Sequence, residues 1–256
     1  VTGRSGGSGL SQPEHSRSRI IARKGCHCQQ RALVAGFISV GTDLETSQTA
    51  MEKAKIFPDV WATAGVHPHE ARKGIEGIED LLEDSKVVAV GEAGLDYHYD
   101  YSPREDQKRV FTEQIEMAHR FNLPLVIHTR EAWEETFTIL DTEGVPKSTV
   151  FHCFTGGKAE ANECLERGAY LSFSGIITFK KSELLREAAS ECPIDRAMIE
   201  TDSPYLTPAP LRGKKNEPAN VGLVGTELAY LQGKSSEEIA LATTQNALDF
   251  YGLREK

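Results

Sequence analysis

From residue 20 onward, short apolar runs of strand length alternate with amphipathic stretches of helix length. The apolar runs predict strands at residues 36–40, 61–66, 87–90, 125–127, 149–151, 169–173 and 196–199. The stretches between them predict helices near residues 46–56, 75–84, 105–121, 131–140, 158–167 and 181–190, followed by a last helix near 236–251. Most of these strands are apolar at consecutive positions, which is typical of parallel strands buried on both faces with helices outside.

The order of these elements predicts an α/β fold. One strand and one helix together take roughly 25–35 residues, and this unit size favours a (β/α)8 TIM barrel over a doubly wound sheet. Closing such a barrel needs an eighth strand before Gly36, but residues 20–31 contain no convincing strand pattern, so we expect an atypical or degraded first strand. Residues 1–19 are mostly Gly, Ser, Arg and Pro, which predicts a disordered segment there and a single domain over residues 20–256.

The composition narrows the class of protein without changing this fold. Of the 256 residues, 39% are hydrophobic and 26% charged, a globular balance that excludes collagenous, coiled-coil and wholly disordered chains. No apolar run approaches the ~20 residues that a membrane-spanning helix needs. Because the net charge is -9, a nucleic-acid ligand would require a local basic patch or bound metal ions. Five cysteines with no secretory signal ahead of them indicate reduced thiols and a cytoplasmic location.

Polar side chains follow five of the predicted strands, where each strand ends. They are His67, Glu92, His128, His152 and Asp202. All strands of a βα barrel end at the same rim, so we expect these groups to converge. Imidazole and carboxylate are ligands for a divalent metal that keeps open positions, and a buried cluster of such groups without a cation would carry a large desolvation cost. The sequence therefore predicts a divalent-metal site formed by Glu92, His128, His152 and Asp202.

Seven sequence blocks surround these residues. They are GVHPHE (65–70), VGEAGLDYHYD (90–100), LPLVIHTREA (123–132), VFHCFTGG (150–157), YLSFSG (170–175), IETDSPYLTP (199–208) and RGKKNEPANV (212–221). The blocks resemble the signature blocks of the TatD family of metal-dependent deoxyribonucleases, in the family's order and spacing. The resemblance runs over about residues 34–253 and implies an amidohydrolase-like (β/α)8 barrel that hydrolyses DNA phosphodiester bonds, often as a 3′–5′ exonuclease.

The resemblance also implies roles for the rim residues. It implies two divalent metal ions per chain (Mg2+, Mn2+ or Zn2+), with Glu92 between them. Asp202 joins Glu92 at one metal, and His128 and His152 bind the other. Glu92 and Asp202 are the implied catalytic carboxylates, with Asp202 the better candidate for the general base. His67 is expected at the same rim, near the metals and the scissile phosphate, as a substrate contact.

One family feature is missing from this sequence. Many family members begin with a strand that ends in Asp-x-His-x-His, whose two histidines complete the first metal site. That strand is expected near residues 9–13, where this chain has Gly-Leu-Ser-Gln-Pro. The nearest histidines are His15, in sequence typical of disorder, and His27 in Cys26-His27-Cys28. No second pair of ligands follows Cys26-His27-Cys28 at the spacing of a zinc finger. We expect an irregular segment from the first ~30 residues to fill the gap without supplying ligands, because backbone alone can pair a sheet edge.

Basic residues near the rim are candidates for contacts with phosphate. Arg130 follows His128 by two residues and is placed to pair with phosphate oxygens in a bidentate manner, although a structural salt bridge would explain it equally well. Arg212, Lys214 and Lys215 follow the strand of Asp202 and are expected to contact the phosphate backbone; the alternative is a solvated surface run.

Three tyrosines alternate in the segment after Glu92. Tyr97, Tyr99 and Tyr101 have a spacing that allows exposed rings at the barrel mouth. They are candidates for stacking on terminal bases of a nucleic acid. They could equally well only cover the mouth of the barrel, and the sequence leaves both interpretations open.

Two other functions remain open at this point. An amidohydrolase-like or phosphotriesterase-like enzyme would hydrolyse a small molecule at the same rim, but such relatives often place a carbamate-bearing lysine at a strand end, and no lysine follows any predicted strand. A non-catalytic barrel that has lost its first metal-binding strand is the second alternative. The predicted partner is DNA, as single strands or 3′ ends, with no membrane contact and a monomeric chain.

Overall fold

The computed structural model of the protein describes residues 17–22 and 34–253. The strands of this part are β1 Arg17–Ala22, β2 Val34–Val40, β3 Val60–Ala64, β4 Val87–Asp96, β5 Leu125–Arg130, β6 Thr149–Phe151, β7 Tyr170–Phe173 and β8 Ala197–Ile199. Its α-helices are α1 Leu44–Ile56, α2 Ile78–Leu82, α3 Arg104–Phe121, α4 Trp133–Glu143, α5 Lys158–Glu166, α6 Glu183–Glu191, α7 Val221–Gln232 and α8 Ser236–Tyr251. His15 and Cys26-His27-Cys28 lie outside the described residues.

The strands form one sheet in chain order, from β1 to β8. Strands β2 to β8 are parallel, and each is connected to the next by helical segments that cover the outside of the sheet. The predicted α/β barrel fold is therefore confirmed. Within the described residues, β1 and β8 are not hydrogen-bonded to each other, so backbone pairing does not close the sheet into a full ring.

The first strand is atypical, as predicted, in its direction and in a register shift between Ile21 and Ala22. β1 runs antiparallel to β2, with Arg17 opposite Val40 and Ala22 opposite Val34. The irregular filling segment expected from the sequence is thus a six-residue strand in this part of the chain. It includes Arg17, Ser18 and Arg19, which the composition had assigned to a disordered segment; the rest of that segment lies outside the described residues.

Helix α8 covers the sheet where pairing does not close it. It contacts both end strands, β1 and β8. One buried cluster joins side chains of the strands to side chains of this helix: Ile38, Val40, Val88, Ala89, Val126, Val150, Met198, Ala247, Phe250 and Tyr251. Unpaired strand edges expose backbone donors and acceptors, and a packed helix is one way to protect them. Over the described residues, no helix is long and apolar enough to cross a membrane.

Besides β1, strand β4 and helix α7 differ most from the sequence prediction. β4 continues to Asp96 instead of ending at Val90, because Glu92 and Asp96 are polar but fully buried and interrupt the apolar run without ending the strand. Helix α7 was not predicted, because it is apolar over most of its surface and carries glycine, so its sequence lacks a clear amphipathic period. A Cβ at Gly225 of this helix would lie 3.2 Å from Cδ1 of Ile199, which shows how closely α7 packs on β8.

Candidate functional site

Strand register brings the predicted donors to one level of the rim. β5 and β6 pair with Ile127 opposite Phe151, so the residues that follow them, His128 and His152, lie side by side. β4 and β5 pair with Gly94 opposite His128. A Cβ at Gly94 would come 2.0 Å from the backbone oxygen of His128, and the positive φ of +131° also favours glycine. This close approach lets β4 carry its own polar residues to the same imidazole.

Glu92 lies at the centre of the site and is completely buried. Its Oε1 contacts Nε2 of His152 and lies 3.3 Å from Nδ1 of His128 and 3.7 Å from Nε2 of His67. The ligand atoms of His67, Glu92 and His128 all lie within 4.8 Å of one another. We call His67, Glu92, His128 and His152 the donor cluster.

Hydrogen bonds to carboxylates determine which imidazole nitrogens can bind a metal. Nε2 of His128 lies 3.0 Å from Oδ2 of Asp96, and Nδ1 of His152 lies 3.1 Å from Oε1 of Glu200. Because an ionised carboxylate only accepts hydrogen bonds, each of these nitrogens carries the proton of its neutral ring. With a cation bound, the other nitrogen of each ring, Nδ1 of His128 and Nε2 of His152, would present its lone pair to the ion; both nitrogens face Oε1 of Glu92.

His67 differs from the other two histidines of the donor cluster. Its Nδ1 accepts a hydrogen bond from the backbone N–H of His69 at 3.1 Å, so the neutral ring carries its proton on Nε2. That protonated nitrogen is the one that faces Glu92. His67 is therefore arranged to donate a hydrogen bond into the site; the substrate-contact role that the resemblance implies for it stays a prediction.

The chemistry of the donor cluster fits a divalent cation. One carboxylate and two imidazole lone pairs converge, which is a ligand set for Zn2+ and, with further oxygen ligands, for Mn2+ or Mg2+. The carboxylates of Glu92, Asp96 and Glu200 are each at most 1% exposed, so three negative charges are buried in a small volume. Burying like charges carries a desolvation cost that a bound cation would offset.

Asp96 and His69 belong to the site but were missed by the sequence analysis. Oδ2 of Asp96 lies 2.9 Å from Nε2 of His69 as well as close to His128. Burial opposes ionisation of Asp96, but hydrogen bonds from His128, His69 and the backbone N–H of Tyr99 hold the pKa of its carboxyl well below the ordinary value. The spacing in the sequence could have identified Asp96, because residues 94 and 96 of this strand point to the same face as the predicted ligand Glu92.

Glu200 was also missed, in favour of Asp202 two residues later. Glu200 directly follows β8, and its Oε2 accepts a hydrogen bond from Oγ of Ser172 at 2.5 Å while its Oε1 faces His152. Asp202 is partly exposed at the same rim. Desolvation raises the pKa of the Cys153 thiol, and the negative charge of Asp202 raises it further, so Asp202 lies near the residue that follows His152. In the described part of the chain, Asp202 is not one of the residues whose ligand atoms all lie within 4.8 Å of one another.

Two buried glutamines of α3 hold the rim segments in place. Gln107 accepts from the backbone N–H of Asp96 at 2.8 Å, and Gln114 accepts from that of Val66 at 2.8 Å and donates to its carbonyl at 3.0 Å. These glutamines are two helical turns apart and therefore lie on the same face of α3. Gln107 thus fixes the backbone of Asp96, and Gln114 fixes the backbone of Val66, which directly precedes His67.

The basic residues predicted to contact phosphate occupy two places. Arg130 lies at the end of β5, with its guanidinium carbon 4.7 Å from the centroid of the Tyr99 ring. Arg212, Lys214 and Lys215 are exposed in the segment after β8, which we call the basic loop. Among the residues that the structure describes, no carboxylate forms an ion pair with any of these four cations. The salt-bridge alternative for Arg130 therefore finds no partner in this part of the chain.

The three tyrosines after Glu92 have different surroundings. The hydroxyl of Tyr97 donates to Oε2 of Glu135 at 2.6 Å, and the guanidinium of Arg104 lies 4.0 Å from the centroid of its ring. Tyr97 is therefore held by contacts within the protein. Tyr99 and Tyr101 are 45% and 55% exposed and face the site side.

Three comparisons place the chain among known proteins. A family model described as TatD-related DNase matches residues 11–252. An uncharacterized metal-dependent hydrolase of Bacillus subtilis, YabD, is 43% identical over 233 residues that cover 89% of each chain. The 3′-5′ ssDNA/RNA exonuclease TatD of Escherichia coli is 35% identical over 254 residues that cover 95% of each chain. The crystal structure of the E. coli TatD homologue YjjV superposes with a TM-score of 0.81 at 26% identity, covering 86% of this chain and 88% of the other.

Proposed function

The chain belongs to the family of TatD-related DNases and is a metal-dependent hydrolase, and we propose that it hydrolyses phosphodiester bonds of single-stranded DNA as a 3′–5′ exodeoxyribonuclease. The observation that carries this proposal is the donor cluster, in which the buried carboxylate of Glu92 meets the imidazoles of His128 and His152. The 3′-5′ ssDNA/RNA exonuclease named above supports the substrate class. The cytoplasmic location and the monomeric state expected from the sequence stay predictions.

In this proposal, two divalent ions are held at the rim. Glu92 would be a ligand of both, His128 and His152 would hold one through Nδ1 and Nε2, and Asp202 would hold the other together with Glu92. When bound, the ions supply Lewis acidity, which lowers the pKa of water from ~15.7 towards ~7 and neutralises charge on phosphoryl oxygens. Asp96 and Glu200 orient the two ligating imidazoles by accepting their N–H protons.

Other side chains act on the substrate. Asp202, partly exposed at the rim, would accept the proton of the attacking water as general base once it is released from direct ligation of a metal. His67 donates its Nε2–H to a phosphoryl oxygen, for which the hydrogen bond at its Nδ1 fixes the tautomer. Arg130 pairs with the same or the next phosphate, because it follows the ligand His128 by two residues. The basic loop contacts the phosphate backbone further along the strand.

A metal-supplemented assay tests the proposal. The protein is freed of metal with EDTA, dialysed, and supplied with Mg2+, Mn2+ or Zn2+ before incubation with single-stranded DNA labelled at its 5′ end. We expect no cleavage without metal and a ladder that shortens stepwise from the 3′ end with metal. An RNA strand of the same sequence, tested in the same way, shows whether this protein also cleaves RNA, the other substrate in the name of the E. coli exonuclease TatD.

The alternatives predict different results. A small-molecule hydrolase would leave every oligonucleotide intact and cleave a phosphotriester or a cyclic amide in the presence of metal. A non-catalytic barrel would cleave none of these substrates. Full DNA cleavage in chelated protein would contradict metal dependence, and a ladder that shortens from the 5′ end would contradict the direction.

A further inference from the structure

Tyr99 and Tyr101 form a stacked pair of exposed rings at the mouth of the site. Their ring centroids are 5.2 Å apart and their planes are inclined by 20°. Their side chains are 45% and 55% exposed, and because the rings are stacked they present one continuous aromatic surface to solvent rather than two isolated exposed side chains. Tyr97 of the same segment, whose hydroxyl is bonded to Glu135, shows what a merely structural tyrosine looks like here.

A single imidazole separates this pair from the donor cluster. The edge of His69 contacts both rings, with centroids 4.7 Å from Tyr101 and 5.5 Å from Tyr99. On its other side, the His69 ring lies 6.4 Å from the ring of His128, and both rings hydrogen-bond to Asp96. A ligand that touches the metal donors and the ring pair at once therefore has to span little more than one side chain.

The segment that carries the rings is held by hydrogen bonds on both sides. Asp96 accepts from the backbone N–H groups of His98 and Tyr99 at 3.1 and 3.0 Å. Ser102 donates to the carbonyl of His69 at 2.8 Å and accepts from the backbone N–H of Arg72 at 3.1 Å. A ring platform fixed in this way loses little conformational entropy on binding, which favours affinity.

Arg130 adds a positive charge beside the aromatic surface. Its guanidinium lies over the ring of Tyr99, and in the described part of the chain no carboxylate neutralises it. The nearby acidic groups are engaged elsewhere, since Asp100 pairs with Arg104 at 2.8 Å and Glu131 lies 2.7 Å from Nδ1 of His98. A flat ring surface, a free cation and a metal-donor cluster within a few side chains of one another match the base and the phosphate of one nucleotide.

We propose that Tyr99 and Tyr101 are a stacking subsite for the nucleobase next to the scissile phosphate. Tyr101, the more exposed ring, contacts the base; Tyr99 supports it from behind; Arg130 contacts the phosphate on the side of the metal donors. The inference rests on the proposed function and adds the chemical group of the substrate that is recognised. Because every base has a flat π-face, such a subsite accepts all four bases and rejects a sugar without a base.

A thermodynamic cycle between protein and substrate tests this subsite. The protein and the variant Tyr101→Ala are each assayed on two oligonucleotides, one with bases at its last two 3′ positions and one with abasic sugars there. On the substrate with bases, Tyr101→Ala should lower kcat/KM by about 5- to 150-fold, as expected for loss of one stacked base. On the abasic substrate the two proteins should differ by less than about twofold, because the partner of the ring is already absent.

Two further variants separate stacking from general damage. Tyr101→Phe keeps the ring and should keep at least about half of the wild-type kcat/KM. Tyr230→Ala is the matched control, because Tyr230 is also strongly exposed but lies on α7 beside Gln232, which hydrogen-bonds to the end of α6. Its kcat/KM should equal that of the wild type on both substrates. Equal losses on both substrates for Tyr101→Ala would overturn the inference and assign the ring a structural role.

A binding measurement keeps this test independent of the proposed activity. An oligonucleotide with 2-aminopurine at its 3′ end should lose fluorescence when the wild-type chain binds it in EDTA, because stacking on a ring quenches the base. Tyr101→Ala should abolish the quenching. If the wild-type chain quenches the fluorescence but cleaves no DNA in the presence of metal, the stacking subsite is supported and the nuclease activity is refuted. If it cleaves DNA but shows no quenching, and Tyr101→Ala lowers kcat/KM equally on both substrates, the nuclease activity is supported and the subsite is refuted.

Discussion

The donor cluster and the basic loop both serve the same expected substrate, yet they are built in opposite ways. The four residues of the donor cluster are buried or nearly so, and each lies within a strand or in the short segment that follows one. The basic loop is exposed, and one hydrogen bond that holds it runs from the Oγ1 hydroxyl of Thr207 to the backbone carbonyl of Lys214 at 2.6 Å. Bond making needs fixed distances in a water-poor site, whereas attraction of a phosphate chain acts through solvent and tolerates movement.

This difference predicts that single changes are severe in the donor cluster and that only combined changes matter in the basic loop. The largest effect is expected at Glu92. Glu92→Gln keeps the shape but removes the charge that holds the cation, so kcat/KM on single-stranded DNA should fall by about 10³-fold or more. The bound metal, measured by elemental analysis, should fall with it.

Glu116→Gln is the control for this change, because Glu116 is exposed on α3, and it should retain wild-type activity and metal content. Circular dichroism verifies that both variants are folded. Activity of Glu92→Gln within about tenfold of the wild type would mean that the donor cluster is not the catalytic centre.

The next prediction tests whether the donor cluster acts as one unit. His128→Ala and His152→Ala should each lower kcat/KM by at least about 100-fold, because each removes a ligand of the same ion. The double variant should be little worse than the more damaged single variant, which a double-mutant cycle measures. If the two losses multiply instead, the two histidines belong to different sites.

A smaller effect is expected for the carboxylate that orients His152. Glu200→Gln replaces the acceptor of the His152 Nδ1–H and should weaken metal binding by about 10- to 100-fold. The measurement is a metal titration of activity, and excess metal should restore most of the rate. A loss of rate that excess metal does not restore, together with a lowered Tm, would instead show that Glu200 acts through folding.

The smallest effect is expected in the basic loop. Replacing Arg212, Lys214 and Lys215 together by Gln should lower the slope of log binding constant against log salt concentration by about 2, since each phosphate contact with a single strand contributes ~0.7. A fluorescence-anisotropy titration of single-stranded DNA at several salt concentrations measures it.

The matched control replaces three exposed lysines outside the basic loop by Gln. They are Lys53, Lys147 and Lys234. This control changes the net charge equally but should leave the slope within experimental error of the wild type. Equal slopes in both triple variants would show that only bulk charge matters and that the basic loop makes no specific contact.

Some of the site could be predicted because it lies next to apolar strands. Glu92, His128 and His152 each follow or interrupt a buried run, and the rim position of such residues follows from the barrel topology alone. The chemistry of a cation site follows from the residue types. The long β4 was underestimated because burial of a charged residue cannot be recognised until its partners are known.

Asp96, His69 and Glu200 could not be predicted in the same way. Their partners are far away in sequence: Asp96 contacts His128 over 32 residues and His69 over 27, and Glu200 contacts His152 over 48. In the sequence, Asp96 is only one residue of the segment that follows Glu92, and Glu200 is only a neighbour of Asp202. Only the contacts show that both orient imidazoles.

By itself, the sequence determined where strands β2 to β8 lie, though not the full length of each, and which donor types meet at the rim, because apolar periodicity and topology depend on local composition and chain order. The tertiary structure alone decided which nitrogen of each imidazole faces Glu92, that β1 runs antiparallel to β2, and that α8 packs against both end strands. These features depend on strand register and on distances between residues remote in sequence. A shift of one residue in register would direct every side chain of a strand to the opposite face while leaving its hydrophobic pattern almost unchanged.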